Sequence, residues 1–291
     1  MARARRIDVP DGRYHVVARG VDRGRIFFAD ADRKEFGRLL GDIHQRFGLR
    51  VLAYCLMDNH YHLVMHAPDG GLSTGMQHLG GTFARHVNER VGRDGHLFGA
   101  RFFSRLITTD AYLLTAIRYV ERNSLDLPGV TSPDQHRWSS YRANAGLEIG
   151  PAWLDSLAVQ SYFDSTSRYR RFIEHHPPRS LTREIEMPLL DHFVDLAIVL
   201  HRPDSITPQH LDRTVKLSLV ERVSSTDRER ILEHLGLEDR DSVAHALRHA
   251  AVRLERHPQI GPVVDAALRM LVDATGRMGQ AQPSGGGVEA A

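Results

Sequence analysis

The sequence predicts an α+β fold: an antiparallel sheet backed by helices, followed by a small all-helical domain. Three observations lead there. Over roughly the first 145 residues, short apolar runs alternate with amphipathic stretches of helical period, in the order β-α-β-β-α-β-α. Two of the runs are separated only by the turn formers Asp58-Asn59, which makes them an antiparallel hairpin. After Tyr141 the chain carries helix-like segments and no convincing strand. With 291 residues, 42% of them hydrophobic, there is enough chain for one large domain or two ordinary ones. Disorder throughout, a collagen-like repeat and a disulfide scaffold are excluded.

Taken in order, Tyr14–Val21 is the first strand, and Asp30–Phe47 is a helix with Phe36, Leu39, Leu40 and Ile43 on one stripe. Arg50–Met57 and His60–His66 form the hairpin. Leu72–Val91 is a helix with Met76, Leu79, Phe83 and Val87 on its apolar face, closed by Gly92. Leu97–Thr108 is the fourth strand. Asp110 is placed as the N-cap of a helix running to about Asn123, ahead of the breaker Pro128-Gly129. This organisation predicts a first domain over 1–145 and a linker with one short helix over 146–180. A helical domain over 181–275 follows, then a disordered tail over 276–291, rich in Gly, Ala, Gln, Ser and Pro.

The single cysteine, Cys55, lies in an apolar run and reads as a buried structural thiol. No stretch approaches the ~18 consecutive apolar residues of a membrane span, and the N-terminus lacks a signal-peptide apolar segment, so a cytoplasmic protein with no membrane partner is expected. The net charge of +2 conceals an asymmetry. Residues 1–142 hold 21 Lys+Arg against 15 Asp+Glu, a balance of +6, and the remainder holds 17 against 21, a balance of −4. A basic first domain suits a phosphate-binding surface.

His60 and His62 sit two apart on a strand, so they project to the same face with Cα atoms about 6.6 Å apart, close enough for two imidazoles to converge on one cation. His66 shares the face but is roughly 13 Å from His62. On the following helix, Tyr119 and Asn123 are four apart and therefore neighbours on one face. Taken together, these residues describe a metal centre with His60, His62 and the Asn123 amide oxygen as ligands and the Tyr119 phenol beside it. Such a cation polarises a phosphodiester, and Tyr119 is then placed to attack phosphorus. A phenol of unperturbed pKa about 10 needs a nearby cation or base to do so at neutral pH, and the sequence offers no dedicated base. The product would be a 5′-phosphotyrosine and a free 3′-hydroxyl. Exchange of one phosphate ester for another is reversible without ATP, and the chain has no Gly-rich Lys-Ser/Thr loop for a nucleoside triphosphate.

Four segments, MDNHYHLV (57–64), GHLFGARFFSRLI (95–107), DAYLLTAIRYVERN (110–123) and HRWSSY (136–141), occur in the order found in the REP-associated tyrosine transposases. The chain resembles these single-tyrosine HUH nucleases, relatives of the transposases of the smallest bacterial insertion sequences, over about residues 12–145. The resemblance implies a ferredoxin-like HUH fold, Mg²⁺ or Mn²⁺ as cofactor, and cleavage and rejoining of single-stranded or hairpin DNA by a monomer or homodimer. His60 and His62 match the HUH histidines, Tyr119 the nucleophile and Asn123 the third ligand, with Tyr61 between the histidines pointing into the core. The chain departs from the family at Ser124-Leu125-Asp126, Phe103 and Val21, all outside the four catalytic positions.

Arg19, Arg23, Arg25, Arg101, Arg105, Arg118 and Arg122 are candidate phosphate contacts, because the guanidinium fork matches phosphate geometry. Arg118 and Arg122, on the Tyr119 helix, are the favoured pair. Asp239–Pro258 is faintly similar to the C-terminal duplex-binding domain of the replication initiator DnaA, which makes a helix-turn-helix and duplex DNA an expectation for the second domain. That role needs Arg248, Arg253 and Arg256 gathered on one face. Two readings compete with a strand transferase: a catalytically silent DNA-binding or regulatory protein that keeps the HUH fold, and a metal-dependent phosphohydrolase in which Tyr119 is structural.

Overall fold

A computed structural model describes residues 8–174, 187–202, 211–220, 222–223 and 225–275. The chain divides into two compact units, Met1–His176 and Pro177–Ala291. In the first, the strands β1 (Gly12–Arg19), β2 (Arg50–Leu56), β3 (His60–Ala67) and β4 (Phe103–Ile107) form one sheet in the order β2-β3-β1-β4. Every neighbouring pair is antiparallel. Helix α1 (Asp30–Phe47) connects β1 to β2, and α2 (Leu72–Val91) connects β3 to β4. Each helix joins two strands that run the same way with a third between them. The order and the two crossovers together are the ferredoxin-like arrangement.

Alternation along the central strands sorts side chains onto two faces. Tyr14, Val16 and Ala18 of β1 and Tyr61, Leu63, Met65 and Ala67 of β3 join the core shared with α1 and α2. Tyr61 is buried there, as expected, with its ring 4.8 Å from Phe36. Phe36 and Phe83 meet edge to face at 5.0 Å, a favourable aromatic geometry. Asp32 of α1 is buried, accepts the Phe28 and Ala29 N–H groups at 2.8 and 2.9 Å, and is clamped by the Arg90 guanidinium of α2 at 2.6 and 2.7 Å. Burial raises its carboxyl, and Arg90 with the two N–H groups overcomes that and holds it below the usual range. Helices α1 and α2 keep their predicted bounds and end at Gly48 and Gly92, whose φ values of 65° and 64° only glycine adopts at little cost.

The opposite face of the sheet presents Arg13, His15, Val17 and Arg19 from β1 and His60, His62, Val64 and His66 from β3. It is covered by α3 (Asp110–Arg122), whose Leu113, Ala116, Ile117 and Val120 are buried. Thr109, rather than Asp110, is the N-cap: its side-chain oxygen accepts the Tyr112 N–H at 3.1 Å, which puts Asp110 inside the first turn. The fourth strand is also shorter than predicted. Residues 97–102 fall outside β4: Phe98 makes an isolated antiparallel bridge to Gly20, with the Gly99 N–H donating to the Arg19 carbonyl at 3.1 Å.

The expected linker over 146–180 is corrected for the residues described there. The Val51 N–H donates to the Trp153 carbonyl at 3.2 Å and the Asp155 N–H to the Val51 carbonyl at 2.8 Å, so this segment adds to the edge of β2. Among the described residues, three α-helices follow β4 and α3 in this unit: α4 (Tyr141–Asn144), α5 (Ser156–Gln160) and α6 (Thr166–Glu174). Tyr169 and Ile173 of α6 are fully buried. The segment contains Trp153, Phe163, Tyr169 and Phe172, too much apolar surface to leave in water.

The second unit consists, among the described residues, of α7 (Met187–His201), α8 (Leu211–Leu219), α9 (Ser225–His234), α10 (Arg240–Arg256) and α11 (Gly261–Thr275). Leu190, Phe193, Val194 and Ala197 of α7 are buried, as are Val263, Val264 and Ala267 of α11, the helix packed against it. Lys216 bridges Asp191 at 2.6 Å and Asp212 at 2.8 Å. The predicted tail over 276–291 lies outside the described residues.

Candidate active site

The site lies between α3 and the histidine face of the sheet. His62 is fully buried and His60 half-buried, their ring centroids 5.0 Å apart. Tyr119, half-buried on α3, stands with its ring 5.5 Å from that of His62. A turn later, Asn123 caps the helix and is 5% exposed. Its side-chain N–H donates to the Tyr119 carbonyl at 2.8 Å, so the amide is fixed in orientation.

A third histidine completes the cluster. Register pairs His15 of β1 with Val64, which sets it diagonally beside His62 on the same face. His15 Nε2 lies 3.1 Å from His62 Nδ1, and its ring is 5.8 Å from that of Tyr119. Burial drives the His15 imidazole down to about 3, so it is neutral at ordinary pH. The sequence singled out His60 and His62 by their spacing, and His15 escaped because its partner is 47 residues away.

The donor set suits a divalent cation. His60 Nδ1 is 2.7 Å from the Asn59 side-chain oxygen, and His62 Nδ1 is engaged by His15. Second partners of this kind leave Nε2 as the ring nitrogen for a metal and hold each ring in place. Among the described residues no three His, Cys, Asp or Glu side chains form a group that could hold a metal ion, and the expected third ligand, the Asn123 amide oxygen, is of another type.

Behind Tyr119, Glu121 ties α3 to the rest of the unit. It is fully buried and accepts hydrogen bonds from Ser140 Oγ at 2.7 Å, Asn144 Nδ2 at 2.8 Å and the Tyr169 hydroxyl. Burial raises its carboxyl to about 7 despite these three donors. Asn144 also donates to the Leu52 carbonyl at 2.9 Å, which links the knot to β2. Nothing in the helical pattern marked Glu121, since an acid beside a basic residue reads as solvated surface.

The candidate arginines separate. Register places Arg19 opposite His60 and Arg105 opposite His15, both on the histidine face. Arg23 and Arg25 are exposed in the loop after β1, and Arg25 pairs with Asp58 at 3.4 Å. Arg101 is exposed and lines a groove with α2, on the side of the sheet away from the histidines. The favoured pair packs against α6. Arg118 is 3% exposed, with its guanidinium 5.6 Å over the Phe172 ring. Arg122 donates to the carbonyls of Ile173 and Glu174 at 2.9 and 3.1 Å. Both belong to the packing of α6, which the sequence left as a short helix in a linker. Cys55 is buried, as expected, and its thiol is pushed far up by burial.

No curated protein matches the chain. Among solved structures, one described as a REP-associated tyrosine transposase bound to a REP hairpin matches 52% of this chain and 89% of its own, at 14% identity and a TM-score of 0.44. The family model for IS200-like transposases matches residues 8–123, a span that begins before β1 and ends on Asn123. Over residues 8–123, which hold the whole histidine and tyrosine cluster, the chain is similar to the IS200-like transposases.

Proposed function

We propose that the first unit is a metal-dependent single-stranded DNA endonuclease and strand transferase, with Tyr119 as nucleophile and Mg²⁺ or Mn²⁺ held by His60, His62 and Asn123. The observation that carries this reading is the Tyr119 ring 5.5 Å from His62 on one face of the sheet, since nucleophile and metal ligands must serve one phosphorus. The cation would supply Lewis-acid stabilisation of charge on the non-bridging oxygens.

Tyr119 Oη forms a bond to phosphorus as the bond to the 3′-oxygen breaks. The electron pair leaves on that oxygen, which gains a proton while the phenol loses one. A 5′-phosphotyrosine and a free 3′-hydroxyl result, and attack by a new 3′-hydroxyl runs the step backwards. His15 is a positioning residue: when His62 ligates through Nε2, its Nδ1–H donates to His15 Nε2 and holds the ring in that tautomer. Arg19 and Arg105, beside His60 and His15, are placed to take the flanking phosphates.

The test is incubation of the full chain with labelled, hairpin-bearing single-stranded DNA and Mn²⁺, followed by a denaturing gel. Wild type is expected to yield a covalent adduct that chelator and Tyr119→Phe each abolish. An equal adduct in the variant removes Tyr119 as nucleophile, and none in wild type leaves a DNA-binding protein that has kept the fold.

A further inference from the structure

Helix α3 carries Tyr119 and is capped by Asn123, so its rotation about its own axis decides where the nucleophile and the third ligand point. Glu121 lies two positions from each, about 200° around the axis from both, while Tyr119 and Asn123 fall within about 40° of each other. The histidine site thus occupies one side of the helix and Glu121 the other. On that far side Glu121 is fully buried. Its Oε1 accepts Ser140 Oγ at 2.7 Å and Asn144 Nδ2 at 2.8 Å, and its Oε2 accepts the Tyr169 hydroxyl of α6.

Other links run to the same part of the chain. Arg122 donates to the Ile173 and Glu174 carbonyls at 2.9 and 3.1 Å, and at the opposite end of α3 Asp110 accepts the Tyr162 hydroxyl at 3.0 Å. Every one of these partners follows α3, within residues 140–174. The apolar packing under Leu113, Ile117 and Val120 is non-directional and tolerates small rotations. Hydrogen bonds from fixed donors do not, because they weaken steeply as their angles open. At a side-chain radius of about 5–6 Å, a rotation of α3 by about 10° shifts the phenol by about 1 Å. A misplacement of that size can cost about 100-fold in rate, even when its origin lies away from the reacting atoms.

We propose that Glu121 is a positioning residue for strand transfer: held by residues 140–174, it sets the rotation of α3 and so aims the Tyr119 phenol at phosphorus. This rests on the proposed function of the first unit. It also extends the functional nuclease past residue 145, since Tyr169 of α6 supplies one of the three donors.

The test is the single-turnover rate of adduct formation by the full chain at saturating hairpin-bearing DNA and Mn²⁺, with the half-saturating DNA concentration measured in parallel. Glu121→Leu, which removes both acceptors, is expected to lower the rate by about 100-fold at an unchanged half-saturating concentration. Glu121→Gln, which keeps a carbonyl acceptor and the side-chain shape, is expected to recover most of that rate. Phe83→Leu, in the core on the other face of the sheet, lowers stability without touching α3, and its rate should equal wild type. Where Glu121→Leu fails to fold, Tyr169→Phe, which deletes one donor only, takes its place and should be slowed in the same sense. A rate equal to wild type in Glu121→Leu, or in Tyr169→Phe where it stands in, overturns the proposal. So does Glu121→Gln as slow as Glu121→Leu, or an equal loss in Phe83→Leu. No adduct in wild type overturns the proposed function and this proposal together, whereas equal adduct in wild type and Glu121→Leu overturns this proposal alone.

Discussion

His15→Phe removes one hydrogen bond from the site while keeping a flat ring of similar size in a fully buried position. The lost contact is the 3.1 Å link between His15 Nε2 and His62 Nδ1. Removing a second partner of a metal-ligating histidine typically costs 10- to 100-fold in metal affinity, equivalent to about 1.4 to 2.7 kcal/mol. The expected result is therefore Mn²⁺ binding weakened by roughly that factor. Affinity is read by the paramagnetic signal of free Mn²⁺ in a titration without DNA. Metal-free DNA binding should be unchanged, because His15 is buried behind the ligands and offers no atom to a phosphate. His15→Gln, which retains an acceptor oxygen, should recover part of the loss, whereas a purely space-filling role predicts that Phe does better than Gln. Unchanged Mn²⁺ affinity in His15→Phe, with thermal stability intact, would refute the positioning role. His60→Ala serves as the comparator with a ligand itself removed.

Glu121 predicts a pH dependence of stability. Its folded carboxyl keeps its proton up to about pH 7, whereas the unfolded chain releases it near 4.3. The contribution is thus fully present below about pH 4.3 and is lost as pH rises through 7, a swing of about 3 to 4 kcal/mol. In urea titrations across that window Glu121→Gln should show a flatter profile than wild type, and parallel profiles would exclude the assignment. Arg118→Ala should destabilise the first unit by about 2 kcal/mol through loss of the buried contact with Phe172, without altering the salt slope of DNA binding. A reduced slope would return Arg118 to the DNA surface.

Much of the first unit was legible because its signals are local. The stripe Phe36, Leu39, Leu40, Ile43 and the glycines after each long helix gave α1 and α2 their bounds, and Asp58-Asn59 marked the hairpin. His60 and His62 share a face by strand geometry, and Tyr119 and Asn123 by helix geometry, whatever surrounds them. The fourth strand was overextended because residues 97–99 keep only an isolated bridge to the end of β1, a contact between segments 80 residues apart. Residues 151–174 read as linker because short helices there have little periodicity of their own and are held by Val51, Glu121 and the core under α3.

What the sequence determined by itself was therefore the set of elements, the two halves of the site and the chemistry their residue types allow, because each follows from spacings of two, three or four residues. Which groups act on one another was decided by tertiary structure alone. Strand register set His15 against His62, and the docking of α6 buried Arg118 and tied Arg122 to the carbonyls of Ile173 and Glu174. Burial turned Glu121 from an apparent surface acid into the anchor of the tyrosine helix. Each of these depends on desolvation and on distances between residues remote in the chain, quantities that no local pattern encodes.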